Sequence, residues 1–354
     1  MSARTSIRLL RTGIVPDGEL EHLSVGYSRI ALHVGERLTA LRSGQDPLPL
    51  FIKGEWGAGK SHCLAYVRAA ASKQGVPCSL VCLDGRSTPL NYPQRFYPIL
   101  AGSIRCRENL LGLRELMSRW LTEVPVRQAI KAFAVGPSAG LFRWSLDTLC
   151  RLFERSESLD LDTVAWSLLL GGDLAWADYS YKREEALNRI ETLGAMFRYL
   201  GIGGLVAPFD EAETIDQLWN YPARLTAYSV LGRLCKMKAT WCVFAVTERF
   251  GRMVKEDIGR GALYHSSLSE NGRQFLKRWA QSAFEVLEAP RIDRSSALKL
   301  AASVVHLYHR AYGLPPDYGV VARCVYEWAR SETRNPRRLI RLVVHSLDIR
   351  RAIA

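Results

Sequence analysis

The sequence predicts an α/β fold: a parallel sheet core with a helical insertion, followed by a helical lid at the C-terminus. Three observations carry this reading. The octapeptide Gly54-Glu55-Trp56-Gly57-Ala58-Gly59-Lys60-Ser61 lies between an apolar run and a helix-forming run. Two later apolar runs, Gly204 to Phe209 and Trp241 to Val246, each end in polar residues. The long stretch before Gly204 is rich in Leu, Arg and Trp and mostly lacks the alternation of strands.

In order, residues 6–43 read as mainly helical, with a break at Gly13-Ile14-Val15-Pro16-Asp17-Gly18. Leu48 to Lys53 is short and apolar, suited to a buried strand. Lys60 to Gln74 is rich in helix formers, Gly75 stands where a helix C′ residue belongs, and Pro77 blocks continuation. Ser79 to Leu83 is the second strand, ending at Asp84. Beyond it, Leu110, Leu113, Leu116, Met117, Trp120 and Leu121 recur at helical spacing, and Trp144, Trp166 and Trp176 follow. Such a Trp-rich stripe is core material before it is a contact surface. After Gly204–Phe209 come a helix over about Trp219 to Lys238 and the strand Trp241–Val246. From Arg291 onward the pattern is helical to the end. The expected divisions are an N-terminal helical segment (1–45), a core (46–290) with its insertion at about 100–198, and a C-terminal lid (291–354).

A chain of 354 residues, 48% hydrophobic and 23% charged, is globular rather than disordered. It has no uninterrupted apolar stretch of membrane-spanning length and no apolar signal core after Met1, so a cytoplasmic protein is expected. None of the eight cysteines forms a C-x-x-C pair, which favours free thiols over zinc or disulfides. Cys78 and Cys82 would share a strand face. A net charge of +13 suits a polyanionic partner, nucleic acid foremost.

The octapeptide fits G-x-x-x-x-G-K-S, and its strand–loop–helix context is the one a phosphate-binding loop requires. Glycines let backbone N–H groups converge on a phosphate, and the new helix adds its positive end. Lys60 then reaches the β- and γ-phosphates and the Ser61 hydroxyl ligates Mg²⁺. Gly54, Glu55, Trp56, Gly57, Ala58, Gly59 and His62 complete the binding loop. Asp210 and Glu211, delivered by an apolar strand, suit a Mg²⁺ partner and a general base, with Glu213 and Glu248 as the alternative bases. Pro208 lacks an N–H, so a bulge is expected there. Thr247, at the end of the next strand, is placed to sense a γ-phosphate. Asn335 and Pro336 look like a helix start, from which Arg337 or Arg338 can reach the nucleotide. Arg249, Arg252 or Arg260 can act as a finger in a neighbouring subunit's site.

With these elements in this order the chain resembles an AAA+-type P-loop ATPase. It is more particularly similar to the ATP-binding proteins of BREX-type phage-defence systems. Four segments carry the resemblance: Ile7 to Gly13 with Pro16, Gly54 to Leu64, Tyr199 to Leu205 running into Phe209-Asp210-Glu211-Ala212-Glu213, and Asn335-Pro336-Arg337. The chain departs from the family pattern at Ser61, where Thr is common, and at Pro208, where the apolar run is usually continuous. The resemblance implies ATP and Mg²⁺ as cofactors and a homo-oligomer. It also implies a defence role beside helicase, methyltransferase or nuclease partners. The sequence thus leads to an ATPase acting on double-stranded DNA or a DNA-bound complex. A nucleotide switch that holds a protein partner with little turnover is the alternative, and a small-molecule kinase, for which no acceptor motif appears, a third.

Overall fold

The computed structural model describes residues 2–106, 110–140, 142–155, 163–172, 179–218, 220–332 and 334–353. The N-terminal segment forms α1 (Ala3–Thr12), α2 (Leu20–Leu23) and α3 (Ser28–Arg42). The Ser2 hydroxyl accepts the Thr5 N–H to cap α1, and Gly13 ends it in left-handed backbone, φ 84°. β1 (Leu50–Lys53) runs through the glycine loop into α4 (Lys60–Lys73), and Gly75, φ 69°, follows as the sequence requires. β2 (Val81–Cys82) precedes the insertion: α5 (Pro93–Ser103), β3 (Arg105–Cys106), β4 (Leu110–Leu111), α6 (Leu113–Thr122), α7 (Val124–Val135), α8 (Phe142–Glu154), α9 (Thr163–Leu170) and α10 (Tyr179–Tyr199). The core resumes with β5 (Leu205–Asp210), α11 (Tyr221–Leu234), β6 (Thr240–Val246), α12 (Glu248–Gly259), α13 (Glu270–Ala280) and β7 (Glu285–Glu288). Three helices follow: α14 (Arg294–Tyr312), α15 (Tyr318–Ala329) and α16 (Pro336–Ile353). No helix among the described residues is long and apolar enough to cross a membrane.

The main sheet is parallel throughout, in the order β2-β5-β6-β1-β7. All five carboxyl ends therefore open on one edge, where ligands bind in such sheets. The pleat sends Leu50 and Ile52 to one face and Phe51 to the other. Leu50 and Ile52 join Trp241, Val243 and Ala245 against α3 and α4. Phe51 joins Phe244 and Phe209, with ring centroids 5.0 and 5.4 Å apart across neighbouring strands, against α11, α13 and the insertion. A separate apolar cluster unites α1 with α14, α15 and α16. The first helix of the chain thus packs on its last three.

Several expectations need correction. Pro208 makes no bulge: the β5–β6 register runs without an inserted residue from Leu205↔Thr240 to Phe209↔Phe244. Its missing donor tells on the other side instead. Cys78 bridges Val206 and Val81 pairs with Phe209 in the same register, but the ladder lapses in between, opposite Pro208. The second strand is consequently shorter than the apolar run Ser79 to Leu83. Cys78 and Cys82 do not share an environment either, the first being buried and the second exposed. All eight cysteines are free. Leu110 belongs to a small antiparallel pair with β3, not to the helical stripe. Gly112, φ 87°, separates strand from helix, and a Cβ there would come within 3.0 Å of the Gly102 carbonyl oxygen. β7 has no counterpart among the expected strands, because Glu-Val-Leu-Glu is a short, half-polar edge. Trp166 is buried and Trp120 packs on Phe197, but Trp144 is 51% exposed. Trp176 and Trp219 lie outside the described residues, and the helix expected from Trp219 is capped by the Asn220 side chain.

Candidate nucleotide site

The loop between β1 and α4 curls because Gly57 and Gly59 adopt positive φ, 78° and 100°. Its first residue hydrogen-bonds the neighbouring strand, the Gly54 N–H donating to the Val246 carbonyl at 3.1 Å. The ammonium of Lys60, a residue only 7% exposed, donates to the Gly54 carbonyl at 2.9 Å, while the Ser61 side chain is open to solvent. Trp56, Gly57, Ala58, Gly59, Lys60, Ser61 and His62 all line one cavity of about 330 Å³. Gly54 and Glu55 do not.

The sheet order brings the remaining pieces to the same edge. β6 lies between β1 and β5, so Thr247 sits between the loop and the Asp210-Glu211 pair. Glu211 follows β5 in left-handed backbone, φ 58°, unusual for a non-glycine residue. This sharp turn puts it on the cavity wall. Its carboxyl is raised above the usual range, first by burial and then by Asp210, against the lowering pull of Lys60 and Arg337. Asp210 is buried, and its Oδ1 accepts the Glu211 N–H at 3.0 Å. Thr247 is buried as the N-cap residue of α12. Asp210 and Thr247 do not line the cavity.

Both chain ends complete the wall. Leu10, Ile14, Val15, Ile292, Leu300 and Ile340 supply an apolar flank, and Arg337 of α16 faces the loop from the same side. Asn335 does two things. Its Oδ1 accepts the Arg338 N–H at 2.8 Å, capping α16, and its side chain lies against Gly57, where an added Cβ would meet Nδ2 at 2.9 Å. Arg338 points away from the cavity, into an exposed groove shared with Arg341 and His345.

Sequence reasoning missed the contacts between distant segments. His62 is buried against Ser24, 2.7 Å from its hydroxyl, and its ring lies tilted against that of Tyr27, with centroids 4.9 Å apart. Burial holds the His62 imidazole down to about 4, so the ring is neutral. Glu213 is buried beside Lys60, 3.6 Å from its ammonium. No local pattern reveals either contact. Among the finger candidates, Arg249 is 73% exposed while pairing with Asp216 at 3.0 Å, and Arg260 is 63% exposed near Asp257. Arg252 is exposed as well.

The donor set fits a nucleoside triphosphate: a glycine cradle at a helix N-terminus, a buried lysine and an apolar flank. Among the described residues no group of three or more His, Cys, Asp or Glu is gathered as a metal site. A Mg²⁺ ion would thus take oxygen ligands from Ser61 or Asp210 and rely on the phosphates and water for the rest.

The family described as BREX system ATP-binding protein BrxC/D matches residues 2–136. No curated protein matches the chain. Among solved structures, the Aeropyrum pernix Orc1 protein in complex with DNA aligns at 15% identity and TM-score 0.47, covering 98% of this chain and 65% of that one. The chain therefore spans a little under two thirds of that relative. The chain carries its glycine loop on a parallel five-stranded sheet, and over residues 2–136 it resembles the BREX system ATP-binding proteins.

Proposed function

We propose that this chain binds ATP in the cavity between the glycine loop and the two helical ends, hydrolyses it, and uses the cycle to act on double-stranded DNA or a DNA-bound complex in phage defence. One observation carries the proposal: the loop, Glu211 and Arg337, from three separate parts of the chain, converge on a single cavity. Backbone N–H groups of Gly57 to Ser61 and the Lys60 ammonium hold the phosphates. The apolar flank takes the base. Glu211, half-buried and raised in pKa, accepts the proton of the attacking water. Thr247 orients that water, and Arg337 closes over the γ-phosphate from α16. Mg²⁺ held by Ser61 and Asp210 would neutralise developing phosphate charge.

Support for DNA comes from the charge of +13 and from α16, where Arg337, Arg338, Arg341 and His345 line an exposed groove. Support for the defence role comes from the match to the BREX system ATP-binding family over residues 2–136. ATP hydrolysis measured with and without duplex DNA tests the proposal. Turnover stimulated by DNA is expected. ATP binding with no turnover in either condition favours a nucleotide switch on a protein partner. The capture of Lys60 by Gly54 and Glu213 speaks for that second reading, since it opposes phosphate entry.

A further inference from the structure

Glu213 is 9% exposed, and neither of its carboxylate oxygens is hydrogen-bonded to another residue. A buried carboxylate in that condition is costly and persists only beside a counter-charge. The cation it meets is Lys60, whose ammonium lies 3.6 Å from Glu213 Oε1 while donating to the Gly54 carbonyl at 2.9 Å. Lys60 is itself buried, so with no phosphate present it needs an anion as much as Glu213 needs a cation. The other charges that act on Glu213 are Glu211 and Asp210, both acidic, and burial pushes the Glu213 carboxyl up to about 7.

We propose that Glu213 is a positioning residue that stands in for the phosphate, holding the Lys60 ammonium against Gly54 until a nucleotide displaces it. The proposal rests on the nucleotide site described above. Phosphate then binds in competition with an internal ion pair. Entry of the phosphate frees Lys60 to turn outward and leaves Glu213 facing added negative charge. The pair therefore weakens ground-state binding of any ligand that carries β- or γ-phosphates, and leaves the base and sugar contacts alone.

Calorimetric titration of the wild type, Glu213→Gln and Glu213→Asp with ATP, ADP and adenosine tests this. Glu213→Gln is expected to bind ATP and ADP roughly tenfold more tightly, the order of one partly buried ion pair, with adenosine unchanged. Glu213→Asp, which keeps the charge but retracts it by one methylene, should gain in the same direction by less. It also serves if Glu213→Gln fails to fold. Unchanged or weaker ATP binding in both variants overturns the proposal. So does an equal gain for adenosine, which would mark a general loosening of the pocket. Lost hydrolysis at unchanged ATP affinity would make Glu213 the base and overturn it as well. A wild type that prefers neither ATP nor ADP over adenosine would sink the phosphate site itself, a separate outcome.

Discussion

Glu211 sits at φ 58°, in a conformation that costs a side-chain-bearing residue of the order of 1–3 kcal/mol, at the end of a strand that otherwise runs straight. The turn puts Glu211 on the wall of the cavity that Lys60 also lines. Glu211→Gln keeps the shape and loses the basicity. It should bind ATP with near wild-type affinity and hydrolyse it at least roughly a hundredfold more slowly in a phosphate-release assay. Comparable turnover would transfer the role to Glu213 or Glu248. Glu248 is exposed near Lys53, 4.0 Å away, which makes it the weaker substitute. At this scale the sequence was informative wherever a motif is contiguous. Gly57 to Ser61 and Glu211, which line the cavity, stand in contiguous motifs, where spacing within a loop or strand end fixes geometry locally; Gly54, Glu55 and Asp210 of the same motifs lie outside its wall. The Ser24–His62 and Lys60–Glu213 contacts could not be read this way, since each joins segments whose approach depends on the whole sheet.

α16 is the element where two duties meet. Its first turn touches the glycine loop through Asn335, and its exposed face carries Arg337, Arg338 and Arg341. Asn335→Ala removes both the helix cap and the contact with Gly57. It should lower stability by about 1 kcal/mol, read as a fall in Tm, and weaken ATP binding by loosening Arg337. Wild-type values for both would show that the contact is incidental. Three arginines of this helix, by contrast, are already engaged. Arg350 pairs with Asp317, Arg351 lies over the Tyr312 ring at 4.1 Å, and Arg341 donates to the Thr12 carbonyl at 3.3 Å. Replacing those three would disturb the fold along with any ligand contact. Arg323, Arg334 and Arg338 are exposed and carry no ion pair among the described residues. Their joint replacement by Ala should weaken duplex binding and flatten its salt dependence by about one unit of log–log slope per lost phosphate contact, while sparing ATP affinity. A triple variant with unaltered duplex affinity and slope would place the DNA contacts elsewhere. Helices such as α4 and α16 were legible because their caps and periodicity are local. β7 and the β3–β4 pair were not, since two- to four-residue strands earn their conformation from partners rather than from pattern.

For the whole molecule, the strand order decides what function is available. Because β6 separates β1 from β5, the loop, Thr247 and Asp210-Glu211 fall side by side at one edge, although the sequence separates them by the entire insertion. The N-terminal helix then closes the ring of contacts. Arg11 pairs with Asp348 at 2.6 Å, and Ile7 and Leu10 are buried with α14 to α16, so the two chain ends form one wall of the cavity. That closure was beyond the sequence, which gave two helical ends and no sign that they pack together. Arg249, Arg252 and Arg260 face outward, so self-association with shared sites is expected to depend on nucleotide. Light scattering at micromolar protein should show larger particles with a non-hydrolysable ATP analogue than without, and a monomer in both conditions would count against shared sites. All of this depends on the cavity taking ATP through Lys60. The most direct measurement is calorimetric titration of wild type and Lys60→Ala with ATP and Mg²⁺. The structure predicts a saturable wild-type isotherm, and in a folded Lys60→Ala protein its loss. A Lys60→Ala protein that binds ATP with unchanged affinity would contradict it.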